Sequence, residues 1–196
     1  MSDKILFLDI DGVLNSETDF TEAARKYDPV HAKLQKGELW KIISAGKLAL
    51  LNRIIKETDA KIVLSSTWRS KCDGKKMTKI FQKYGDIWEH DADIFIGQTP
   101  NWSRRGSTQE FRGREITQYL SEHPEIEDYI VLDDNDYILE DDYYKIEIPE
   151  DRFIHTDEYA GLTKIDMWAA LIRLGRTEKY QKKFDREQMW LRAMIF

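Results

Sequence analysis

A chain of 196 residues, 41% hydrophobic and 34% charged with only 4 Pro, can bury one sizeable core and is too apolar to be disordered. Its net charge of −6 argues against a general nucleic-acid binder, and its single Cys72 excludes an internal disulfide framework and any four-thiolate metal site. No apolar run approaches about 18 residues, and "MSDKILFLD" is too short and acidic for a signal peptide, so the expectation is a cytoplasmic protein with no membrane contact.

The first element is "KILFLDIDGVLNS", Lys4 to Ser16. Five of the six residues Ile5–Ile10 are apolar, which suits a fully buried strand, and Asp9 and Asp11 fall where it ends. Gly12 permits a tight turn. Two carboxylates this close repel each other and resist burial, so the pair calls for a positive species. The residues Ser16 to Ala45 then separate this strand from its return helix, a length that suits a small lid. Leu48, Leu51 and Ile55 mark the stripe of that helix.

Further apolar runs follow at Lys61–Leu64, Ile94–Ile96, Tyr129–Leu132 and, weakly, Arg152–Ile154. Helical stripes lie between and after them, at Ile116, Tyr119 and Leu120 and at Ile165, Trp168 and Ile172. Alternating strands and helices predict an α/β, doubly wound, mostly parallel sheet in a single domain. The end of the chain, about 177–195, reads as an amphipathic helix bearing Tyr180, Phe184, Leu191 and Ile195, suited to packing on its own core.

In such sheets, ligands bind beyond the carboxyl ends of the strands. Asp9 and Asp11 follow the first run; "KIVLSSTWR" puts Ser65, Ser66, Thr67 and Arg69 after the second. "FRGREI" places Arg112 and Arg114 at a helix start, and "YIVLDDND" places Asp133, Asp134 and Asp136 after the fourth run. Charge is segregated: Arg69 to Lys83 holds six basic residues and one acid, whereas Asp133 to Asp151 holds nine acids and one base. The four His residues, His31, His90, His123 and His155, show no metal-ligand spacing, and no glycine-rich phosphate loop is present.

This ordered set of acid pair, hydroxyl, cation and acid pair resembles the haloacid dehalogenase-like (HAD) phosphohydrolases, from Ile5 to about Leu162. "DIDGVLN", "VLSSTWR", "RGREI" before "VLDD", and a late "TDEYAGLT" are most similar to the subgroup found in Swiss-Army-knife RNA-repair proteins. Val13 stands where many members have Thr, and the cation is Arg where Lys is commonest, a planar fork in place of a point charge. The resemblance implies a sheet ordered 3-2-1-4-5 with at most a small cap drawn from 16–45. It also implies a phosphatase in which Asp9 attacks phosphorus and Asp11 is the general acid and base. Mg²⁺ would be held by the Asp9 carboxylate, the Asp11 backbone carbonyl and Asp134, with Asp133 orienting its water shell and Asp136 in reserve. Ser65, directly after the apolar run, is preferred to Ser66 for the phosphoryl oxygen, and Arg112 to Arg114 for neutralising charge there, because "RG" precedes the helix as the family cation usually does.

The substrate side rests on "STWRSK" and "NWSRRG", where Trp68 and Trp102 lie beside Arg69 and Arg104. Aromatics interleaved with cations suit a nucleotide or a single-stranded nucleic-acid end, with Ser66 and Arg114 as further contacts. The acidic balance keeps a small phosphomonoester in contention. A phosphorylation-dependent receiver domain, by contrast, needs an acid after its third strand, and "FIGQTP" offers none. A family member that binds a phosphorylated ligand without turnover would lack one of the catalytic positions, and all are filled.

Overall fold

The computed structural model describes residues 3–19, 42–102, 111–135, 140–141, 146–175, 180–182 and 184–186. Five parallel strands form the sheet: β1 (Lys4–Leu8), β2 (Lys61–Leu64), β3 (Phe95–Gln98), β4 (Asp128–Asp133) and β5 (Phe153–His155), in the order β3-β2-β1-β4-β5. This is the order that the resemblance implied. The third run starts one residue late, because Ile94 closes a short 3₁₀ turn before β3. The weak fifth run is a strand, pairing with β4 through Leu132 and Ile154. A two-residue antiparallel ladder, Glu140–Asp141 with Ile146–Glu147, lies outside this sheet.

Helices flanking it among the described residues include α1 (Ala45–Thr58), α2 (Gly74–Phe81), α3 (Arg112–Glu122) and α4 (Lys164–Gly175). Strand residues alternate between the two faces. Leu6, Leu8, Ile62, Leu64, Ile130 and Leu132 join the cluster under α1, α2 and α4, while Ile5, Phe7, Val63 and Val131 face Ile116 and Tyr119 of α3. The stripe of α4 is rotated from the sequence expectation. Met167, Trp168, Leu171 and Leu174 are buried, and Ile165 and Ile172 flank them, because α4 packs on both β4 and α1. Tyr180 stacks on Trp168 with ring centroids 5.4 Å apart.

The register decides the site. Leu8 is level with Leu64 on one side and with Leu132 on the other. The next residues, Asp9, Ser65 and Asp133, therefore form one row at the carboxyl edge, and the alternation turns them towards the α3 face. The ladder continues through that row: Ser65 N–H donates to the Leu8 carbonyl at 2.9 Å and Asp9 N–H to Leu132 at 3.0 Å. Most of the expected lid, residues 20–41, lies outside the described residues.

Candidate active site

Asp9 is buried, 4% exposed, with Oδ1 accepting from the Ile10 N–H at 2.7 Å. Its Oδ2 pairs with Nη1 of Arg112, which also donates to Asp133 Oδ2 at 2.7 Å. Arg112 is the first residue of α3 and lies on the face towards the row, so one guanidinium bridges two strand-end carboxylates. Burial alone lowers its pKa, but Asp9 and Asp133 outweigh that and hold the charge firmly in place. Arg114, two residues on and so on another side of the helix, lies 4.7 Å over the Trp102 ring and 5.5 Å over Phe111.

One carboxylate oxygen from each of Asp9, Asp133 and Asp134 lies within 4.8 Å of the other two. Burial pushes the Asp133 carboxyl up, with Arg112 acting against it. Asp134 is raised to about 6, by burial first and then by the charge of Asp9. The donor set is all oxygen and carries more negative charge than Arg112 neutralises, which fits a hard divalent cation. Gly12 sits against this cluster at φ +73°, and a Cβ there would come within 2.2 Å of the Asp134 carboxylate carbon.

Asp11 stands apart from that trio. Asn15 Nδ2 donates to its Oδ1 at 2.9 Å and Trp68 Nε1 to its Oδ2 at 3.0 Å. Asn15 also accepts from Gly12 N–H at 3.1 Å, so one side chain braces the whole turn. Burial raises the Asp11 carboxyl, and the Asn15 bond is the largest opposing influence. The late motif closes around the same turn. Thr156 Oγ1 donates to the Gly12 carbonyl at 2.9 Å, and Leu162 N–H to the Val13 carbonyl at 2.8 Å.

Ser65 is fully buried in the row, and its hydroxyl has no hydrogen-bond partner among the described residues. Ser66 instead caps the 3₁₀ turn Thr67–Ser70, accepting from Trp68 N–H at 3.3 Å. Arg69 is 7% exposed, donates to the Ser66 carbonyl at 2.7 Å and pairs with Glu115 of α3. The other Glu115 oxygen accepts from Trp102 N–H at 2.8 Å. Trp68 is buried, whereas Trp102 is 39% exposed. Arg104 and Asp136 lie outside the described residues.

The model for the HAD domain in Swiss Army Knife RNA repair proteins matches residues 5–167. The chain belongs to this HAD family. No curated protein and no solved structure matches it. Membership implies phosphohydrolase chemistry on a phosphorylated substrate, and the HAD core accounts for the strand order and the acidic trio alike. Three residues of this candidate site were not singled out from sequence: Asn15, Glu115 and Thr156. Glu115 gave the clearest signal, since an acid beside Ile116 and four residues before Tyr119 falls on the core-facing stripe and needs a buried partner.

Proposed function

We propose that the chain is a divalent-metal-dependent phosphomonoester hydrolase, acting through an aspartyl-phosphate on nucleic-acid 3′-phosphate ends or nucleotides. The observation that supports it best is the row of Asp9, Ser65 and Asp133 beneath Arg112, with an unpartnered hydroxyl beside a strand-end carboxylate. A buried hydroxyl without a partner costs about 1–3 kcal/mol, and a phosphoryl oxygen would supply the missing acceptor.

In this mechanism an oxygen of Asp9 attacks phosphorus and the bond to the leaving oxygen breaks. Asp11 gives that oxygen a proton. Water then attacks the phosphorus, gives its proton to Asp11, and releases inorganic phosphate and Asp9. Arg112 spans Asp9 and Asp133, so its charge is in place before the substrate arrives. Mg²⁺, held by Asp9, Asp134 and the Asp11 carbonyl with Asp133 behind them, would neutralise phosphate charge as carboxylate and phosphate approach. A cytoplasmic setting, where Mg²⁺ is plentiful and Cys72 stays reduced, suits this reading.

A second reading, a small-molecule phosphatase, is favoured by the cleft beside Asp11. It measures about 240 Å³, lined by Thr67, Trp68, Ser70, Lys71 and Cys72, which fits one sugar-sized group. Both readings share the chemistry tested by phosphate release from p-nitrophenyl phosphate. Activity is expected with Mg²⁺, loss in excess EDTA, and at least about a 10³-fold loss in Asp9→Asn shown folded by circular dichroism. Near-wild-type turnover by that variant would overturn the nucleophile assignment.

A further inference from the structure

Trp68 is chemically overqualified for packing alone. Its ring is buried, 8% exposed, yet its N–H leaves the core cluster and donates to Asp11 Oδ2 at 3.0 Å. The 3₁₀ turn that bears it is itself fixed, by the Ser66 cap and by the Arg69–Glu115 pair next door. An indole has two side-chain torsions, and both are held when the ring is buried, so this donor is stationary. Asn15 holds the opposite oxygen at 2.9 Å. The carboxylate is thus clamped in one orientation, at the wall of the cleft that Thr67, Ser70 and Lys71 complete.

We infer that Trp68 is a positioning residue for Asp11, and that the cleft between them receives the leaving group of the phosphoester. This rests on Asp11 as the general acid of the proposed reaction. Proton transfer needs donor and acceptor within hydrogen-bond reach, so a carboxyl free to rotate gives less help. The help matters in proportion to the basicity of the departing oxygen. An alkoxide such as a ribose oxygen needs the proton, whereas a dinitrophenolate leaves without it. The hydroxyls of Thr67 and Ser70 and the amine of Lys71 suit a hydroxylated alcohol in that cleft.

The experiment compares wild type, Asp11→Asn and Trp68→Phe on dinitrophenyl, p-nitrophenyl and phenyl phosphates and on a nucleoside 3′-phosphate. Trp68→benzothienylalanine, introduced at that one position, preserves ring size without the N–H and serves where Trp68→Phe does not fold. Either Trp68 variant should lower kcat/KM on the nucleoside ester by about tenfold more than on dinitrophenyl phosphate, because kcat/KM reports departure of the leaving group and not the later step in which Asp11 takes the water's proton. In the Asp11→Asn background, the same change should have no further effect on the dinitrophenolate burst. An equal loss of kcat/KM on every ester, or a loss that persists without the Asp11 carboxyl, overturns the positioning role and leaves the phosphatase reading standing. No phosphate release by wild type from any ester overturns that reading and this inference together.

Discussion

Gly12 ties the geometry of the turn to the acidic trio proposed to hold the metal. Its φ of +73° is costly for any residue with a Cβ, and that Cβ would also sit 2.2 Å from the Asp134 carboxylate carbon. Gly12→Ala must therefore move either the turn or Asp134. Calorimetric titration with Mg²⁺ should show affinity weakened by at least about tenfold, the scale of disturbed metal-site support. Strain in the turn should also lower folding stability by about 1–2 kcal/mol. Unchanged Mg²⁺ affinity would show that neither Asp134 nor the turn that carries the Asp11 carbonyl is coupled to the metal through Gly12. Much at this scale was legible in the sequence. Asp9 and Asp11 were placed by where the first apolar run stops, and Ser65 by directly following the second. Which oxygen meets which donor was not legible, because Asn15 and Trp68 reach Asp11 from positions four and 57 residues away.

Among the elements, α3 carries the most, and the sequence left it ambiguous. Arg112 and Arg114 are two residues apart, so they project from different sides of a helix, and nothing local says which side meets the sheet. Packing decides: Ile116 and Tyr119 must cover Phe7 and Val131, and that rotation brings Arg112 over Asp9 and Asp133. The same rotation buries Glu115, 1% exposed, against Arg69. Burial lowers the Arg69 pKa, and Glu115 is the largest opposing influence. Removing that partner with Glu115→Ala strands a buried guanidinium and frees the Trp102 N–H, at a cost of about 3–5 kcal/mol. For a chain of this size the thermal midpoint should fall by roughly 10 °C, with Glu115→Gln losing less because an amide oxygen can still accept. A drop below about 2 °C would mean that Arg69 finds water or another acceptor when Glu115 is gone. Loosening the start of α3 should also reduce kcat, since Arg112 stands three residues earlier on the same turn.

At the scale of the whole molecule, the strand order makes the site, by setting β2, β1 and β4 side by side so that residues 9, 65 and 133 meet. Alternating runs in the sequence sufficed to expect a mostly parallel sheet, because parallel strands are buried and need helical crossovers, whereas the strand order came from the family resemblance. The surface that selects a substrate was less legible, since exposure depends on packing that no local pattern states. Trp68 and Trp102 look equivalent in sequence, each beside basic residues. In the fold, one braces Asp11 from within the core, and the other is exposed with the Arg114 guanidinium 4.7 Å over its ring. If the substrate is a nucleic-acid end, the exposed Trp102 ring beside Arg114 is the surface on which a base beyond the terminal nucleotide stacks. An oligonucleotide ending in a 3′-phosphate should then be hydrolysed with higher kcat/KM than the matching mononucleotide. Trp102→Ala should erase about tenfold of that preference, the scale of one stacked base, while changing mononucleotide turnover by less than about twofold. Added salt should weaken the oligonucleotide reaction selectively, because only the polymer brings further phosphates to the protein's cations. Equal efficiency on both substrates, with neither salt nor Trp102 making a difference, would assign the site to a small phosphomonoester held wholly within the cleft beside Asp11.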